Sequence, residues 1–165
     1  MLPEDVVRYE DTPGAEPDIR IGILEQERQA LHLIPRAVIA GIGCKKGVSA
    51  AQIEEAVDLA CSRAGVCRES IYQVASIDLK TREQGLLEYC DKYRLERSFY
   101  SAEGLGRVPG IYSGSEFVAC VTGVDNVCER SAVLASGGGR LIAEKLARNG
   151  VTVALAQKDW RIRFE

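Results

Sequence analysis

The sequence predicts a three-layer α/β sandwich built on a mixed, partly parallel sheet. Three observations lead there. Apolar β-type runs alternate with helical periodicities from residue 38 onward, the order that builds parallel sheets. The chain then ends in two strand-like runs joined by Asn149-Gly150, a tight-turn signal that makes the sheet mixed. At 165 residues there is room for one domain with a sizeable core.

The elements follow in order. Residues 1 to about 18 read as a linker, since Thr12-Pro13-Gly14-Ala15-Glu16-Pro17 carries breakers and no periodicity. Ile19-Arg20-Ile21-Gly22-Ile23-Leu24 alternates as a strand would. Glu25 to Arg28 can turn the chain, and Ala30 to Ile34 reads as a returning strand, so a β-hairpin is expected there. His32 is expected on the polar side of that hairpin. Val38 to Ile42 is a buried strand. Ser49 to Arg63 is a helix with Ile53, Ala56, Val57, Ala60 and Cys61 on one face and Gly65 as its cap. Ile71 to Ile77 is a second strand, expected parallel to the first because strand–helix–strand order favours a right-handed crossover. Glu83 to Tyr93 is a helix and Arg97 to Tyr100 a short strand. Arg107 to Ser113 is expected as a mobile loop. Ser115 can cap a short helix to Cys120. Asn126 and Glu129 have capping-box spacing and open a helix to about Ser136, which Gly137-Gly138-Gly139 breaks. Strands over 140–146 and 151–156 close the fold.

Charge and cysteine usage exclude several classes. The net charge is −3, so no basic field draws nucleic acid. No apolar run has the length of a membrane span, and the acidic, polar start has no signal-peptide pattern, which makes the cytosol the expected compartment. None of the six cysteines forms a C-x-x-C pair, and His32 is the sole histidine, so no protein metal site is expected. Most of the cysteines fall in apolar patterns and read as small buried hydrophobes. Cys44 differs, because a helix amino terminus and two lysines favour its thiolate.

The chemistry-bearing stretch is Gly41-Ile42-Gly43-Cys44-Lys45-Lys46-Gly47-Val48-Ser49. It joins the carboxyl end of a strand to the start of a helix, with Ser49 and Gln52 at capping-box spacing. In open α/β sheets ligands bind at that place. Free N–H groups, the helix dipole and two lysines favour an anion. Neither a Walker A string nor a dinucleotide fingerprint is present, which disfavours nucleotides. An ordinary βα turn with glycines at positive φ would read the same way.

Several strings, taken together and in order, resemble the C-terminal domain of the cobalamin-biosynthesis protein CbiG, shared by the CobE proteins. They are Gly41 to Gly47, Ala75-Ser76-Ile77-Asp78-Leu79-Lys80, Glu83-Gln84-Gly85-Leu86-Leu87, and Phe99-Tyr100-Ser101-Ala102-Glu103. Thr122 to Glu129, Lys145 and Gly150-Val151-Thr152-Val153-Ala154 complete the set. The resemblance covers residues 36–165. Residues 1–35 then read as a linker and hairpin resembling the end of a CbiG middle region. The resemblance implies action on cobalt-precorrin-5A, with opening of its δ-lactone and release of acetaldehyde. Cobalt would be carried by the substrate, and no protein-held cofactor is implied. The large N-terminal domain of CbiG has no counterpart in the sequence. The expected partners are a precorrin tetrapyrrole and either that missing domain or other enzymes of the pathway.

A precorrin is edged with carboxylates. Gly41, Gly43, Cys44, Lys45, Lys46, Gly47 and Ser49 are expected to bind it, with Ser76, Lys80, Ser101 and Lys145 as further contacts. Lactone opening needs an activated water and stabilisation of an oxyanion. With one histidine no Ser-His-Asp set can be assembled, so Asp78, Glu103 and Glu129 are the candidate bases, with Asp78 and Glu103 fitting a role in lining the cleft better than that of a base. Glu129 also fits a purely structural capping role. Two function classes follow: a lactone-hydrolase domain, or a non-catalytic tetrapyrrole-binding accessory module of the CobE type.

Overall fold

The computed structural model describes residues 14, 18–25, 31–110, 112, 114 and 116–161. Most of the expected N-terminal linker, and Ser115, lie outside them. Strands β1 (Ile19–Ile21) and β2 (Leu31–Leu33) form a two-stranded sheet. The main sheet contains β3 (Val38–Cys44), β4 (Ile71–Ile77), β5 (Glu96–Tyr100), β6 (Arg140–Arg148) and β7 (Val151–Gln157), in the order β5-β4-β3-β7-β6. The helices are α1 (Ala50–Ala64), α2 (Gln84–Tyr93), α3 (Ala102–Gly106), α4 (Glu116–Thr122) and α5 (Val127–Ala135).

β3, β4 and β5 run parallel, as the strand–helix–strand order requires, and β7 pairs antiparallel with both β3 and β6. Asn149 and Gly150 both take positive φ, the conformation of a two-residue hairpin turn. The sheet is a sandwich filling because successive residues of a strand face opposite sides. Val38, Ala40 and Ile42 join the core formed with Ile53, Ala56 and Val57 of α1 and Leu86 of α2. Gly41 faces the other way, onto α5. Both faces of β3 are therefore covered, which explains its unbroken apolar run.

Local signals hold at the helix ends. Ser49 and Gln52 form the reciprocal capping box, and Gly65 closes α1 in the left-handed conformation. Asn126 caps α5, its side chain accepting from the Glu129 N–H.

The N-terminal strands correct one expectation. β1 and β2 pair parallel, not as a hairpin, with Ile19 opposite Leu31 and Ile21 opposite Leu33. Tertiary contacts set this direction. Ile23 is buried in the core, the Glu25 N–H donates to the Gly65 carbonyl, and the Cys67 N–H donates to the Ile23 carbonyl. The segment after β1 is thus held against the C-cap of α1 instead of turning straight back. His32 is half-buried, with Nε2 2.8 Å from the Gly22 carbonyl.

The expected loop after α3 is anchored on its near side. Val108 is buried, and its carbonyl accepts from Arg130, which also pairs with Asp125 at 2.9 Å. Of the cysteines, Cys61, Cys67, Cys90 and Cys128 are buried, but Cys120 is exposed at the end of α4.

Candidate functional site

The carboxyl ends of β3 and β4 part from one another. Their paired ladder stops at Gly41 and Ala75, although β3 continues to Cys44 and β4 to Ile77. Beyond the ladder the buried Ser76 hydroxyl takes over, donating to the Ile42 carbonyl at 2.6 Å. Ser131 of α5 reaches the Ala75 carbonyl in the same manner, at 3.1 Å. Parted strand ends of this kind are where open α/β sheets place their ligands.

Around this edge stand the 45–49 loop, the 3₁₀ turn of Asp78 to Lys80, the start of α3 at Ser101, and the β6–β7 turn. Lys45 and Lys46 are exposed. The loop's amides are largely engaged within the chain. The Lys45 N–H donates to the Gly150 carbonyl at 2.9 Å. The Ser49 N–H donates to Gln52 Oε1. The Gly47 N–H donates to Glu83 Oε1 at 2.8 Å, and the other oxygen of that carboxylate meets Lys80 Nζ at 3.3 Å. A carboxylate thus already sits on the loop. Sequence reasoning missed Glu83 here, because nothing local links it to Gly47, 36 residues away. The start of α1 is also covered. A Cβ on Gly85 of α2 would lie 2.1 Å from the Val48 carbonyl oxygen, so α2 packs directly against it. The expected anion site is therefore a rim of ammonium groups more than a cradle of free amides.

The remaining expected residues divide clearly. Gly43, Cys44, Lys45, Lys46, Gly47, Ser49, Ser76, Asp78, Lys80, Ser101 and Glu103 gather at the carboxyl edge of β3, β4 and β5. Within this group, Ser76 is spent on the Ile42 carbonyl, while the Ser101 hydroxyl caps α3 by accepting from the Gly104 N–H. Glu103 is exposed and paired with Arg107 one turn on. Asp78 is exposed and makes no ion pair among the described residues. Gly41 lies deeper, under α5. Glu129 is 1% exposed; its carboxylate accepts from Asn126 Nδ2 at 2.7 Å and from the Lys145 N–H at 2.6 Å. It joins α5 to β6, and Lys145 stands there on β6, half-buried.

Cys44 reverses its expectation. Burial pushes its thiol up to about 11; Lys80 opposes that shift and Glu83 adds to it. The cause is position. Cys44 is the last residue of β3 and packs against the core, where losing water outweighs the nearby positive charge. Iodoacetamide at pH 8 is expected to label exposed Cys120 well before Cys44. Cys44 labelling should rise steeply only as the pH approaches its pKa, since the thiolate is the nucleophile. Peptide mass spectrometry across a pH series reads both sites; rapid Cys44 labelling at pH 8 would contradict the burial argument.

The sequence matches the family described as cobalamin synthesis G C-terminus over residues 38–156. The chain belongs to this family. The matched span of the cobalamin synthesis G C-terminus runs from the first residue of β3 to one residue short of the end of β7, so it takes in all of the main sheet but Gln157. The chain is 34% identical over 122 residues to the cobalt-precorrin-5A hydrolase of Priestia megaterium, covering 74% of this chain and 32% of that protein. It therefore spans about a third of that relative's length. The solved structure of CobE, a protein from the cobalamin biosynthetic pathway, superposes with a TM-score of 0.68 at 29% identity, covering 73% of this chain and 89% of CobE. The cobalamin biosynthesis protein chiG from Agrobacterium tumefaciens gives a TM-score of 0.57 at 30% identity, covering 73% of this chain and 98% of that one. Among the described residues of this family member no helix is long and apolar enough to cross a membrane.

Proposed function

We propose that this chain acts in cobalamin biosynthesis by holding a precorrin at the carboxyl edge of β3 and β4 while the δ-lactone of cobalt-precorrin-5A is opened. The observation that carries this reading is the parting of those strand ends, with exposed Lys45 and Lys46 on its rim. A macrocycle edged with acetates and propionates offers several carboxylates to such a rim, and each added pair fixes its orientation. Water adds to the lactone carbonyl and the acyl C–O bond breaks, giving a carboxylate and a hydroxyl. The C–C bond from the ring to the hydroxyl-bearing carbon then breaks, the ring keeps the electron pair, and the two-carbon fragment leaves as acetaldehyde. Of the three candidate bases, Asp78 is best placed to activate that water, because Glu103 is paired with Arg107 and Glu129 is buried. The chain aligns with about a third of the Priestia hydrolase, and we assign the remaining groups to the rest of such a protein.

A second reading, a non-catalytic CobE-type module, draws support from the superposition on CobE. The chain covers nearly all of the two short solved proteins but a third of the Priestia hydrolase. One experiment separates the two. The chain is titrated with cobalt-precorrin-5A, and acetaldehyde is assayed with and without the N-terminal portion of the Priestia hydrolase in trans. Binding is expected in both cases, with rapid acetaldehyde release only in the second. Replacing Lys45 and Lys46 together with Ala should weaken binding about tenfold or more at low salt. Unchanged affinity would remove the loop from the site, and rapid release by the chain alone would sink the need for a second region.

A further inference from the structure

A separate cavity of about 320 Å³ opens at the opposite, amino edge of the sheet. Ile71 begins β4, Leu95 precedes β5 and Arg36 precedes β3; with Tyr89 and Tyr93 of α2, these residues form its walls. Arg68, Arg94 and one acid, Glu69, complete the lining. Arg68 lies over the Tyr93 ring, 4.1 Å from its centre, and its Nε pairs with Asp58 at 3.3 Å. Its Nη1 is buried with no hydrogen-bond partner among the described residues. Arg94 takes φ 51, the left-handed conformation in which glycine is favoured at a helix C-cap. A non-glycine residue held there is strained, and such strain persists where a side chain is needed.

We propose that this cavity binds a small, flat-bodied oxyanion, a phosphate monoester or a dicarboxylate, held by Arg68 with Arg36 and Arg94 beside it. Guanidinium forks match both anions. Arg36, Arg68 and Arg94 stand against Glu69 and the Asp58 that pairs with Arg68, which leaves a net positive charge at the cavity. Tyr89, Ile71 and Leu95 supply an apolar wall for the body of the ligand, and the volume lies in the small-molecule range. A whole tetrapyrrole does not fit, so this site is independent of the carboxyl edge.

Phenyl phosphate, phthalate and inorganic phosphate are the probes, followed by calorimetry and by amide shifts over 68–71 and 93–95. Phenyl phosphate or phthalate is expected to saturate, whichever is tighter naming the anion class, and inorganic phosphate to bind at least tenfold more weakly. Arg68→Lys should lower the affinity tenfold or more. Arg94→Gly should raise the melting temperature, by relieving the left-handed strain, and yet weaken the ligand. That opposition is not expected of a merely structural arginine. Absence of saturation by both organic probes, shifts confined to other residues, or unchanged affinity in both variants would overturn the assignment.

Discussion

Gly41→Ala is expected to cost about 3 kcal/mol or more and to separate α5 from the sheet. A Cβ at residue 41 would lie 1.8 Å from the Cys128 carbonyl oxygen and 2.9 Å from the Ala132 Cβ. The first obstacle is backbone of α5, which cannot rotate aside as a side chain can. β3 and α5 must therefore move apart. α5 also carries Ser131, which holds the Ala75 carbonyl, and Glu129, which holds β6. Any shift is thus passed to the strand ends that form the candidate site. Urea denaturation with a tryptophan or circular-dichroism signal reads the loss. A variant as stable as the parent would show that the helix can relax without cost.

Glu129→Ala is expected to destabilise the fold by about 3 kcal/mol, since it removes the carboxylate that accepts from the Lys145 N–H and the Asn126 amide and leaves a void. For a chain of this size that is a fall in melting temperature of about 6–12 °C. Glu129→Gln keeps the shape and one acceptor oxygen, so it should fold and lose far less. The pair also decides between two roles. A carboxylate that only ties α5 to β6 leaves precorrin chemistry intact in the Gln variant. If Glu129→Gln folds normally but abolishes acetaldehyde release in the presence of the N-terminal portion of the Priestia hydrolase, Glu129 is a base despite its burial.

The legible parts of the fold were those written locally. The capping box at Ser49, the N-cap at Asn126, the C-cap at Gly65 and the turn at Asn149-Gly150 each involve residues within a few positions of one another. The ordering of strands and helices then left few ways to arrange β3, β4 and β5. What escaped was set at long range. The parallel pairing of β1 and β2 depends on contacts with residues 65–67. The high thiol pKa of Cys44 depends on burial against the core, where charge counting along the sequence points the other way. Glu83 on the Gly47 amide, and Gly41 under α5, are likewise contacts between distant segments. In the candidate site, the lysines and Asp78 were readable as polar residues at strand ends. The employment of Ser76 and Glu129 as struts was not.

The strand order has a consequence for how the chain comes to be folded. β3 is central, yet its neighbour on one side is β7, whose last paired residue is Gln157, opposite Val38. During synthesis β3 and β4 can meet early, but the other border of β3 waits for nearly the whole chain. Until then it presents seven residues of bare, apolar strand edge. Closure at such a sequence separation is slow, and an open edge invites pairing with another molecule in the interval. Cutting the chain ahead of β7 would make that interval permanent, leaving a fragment that associates with itself instead of a smaller folded domain.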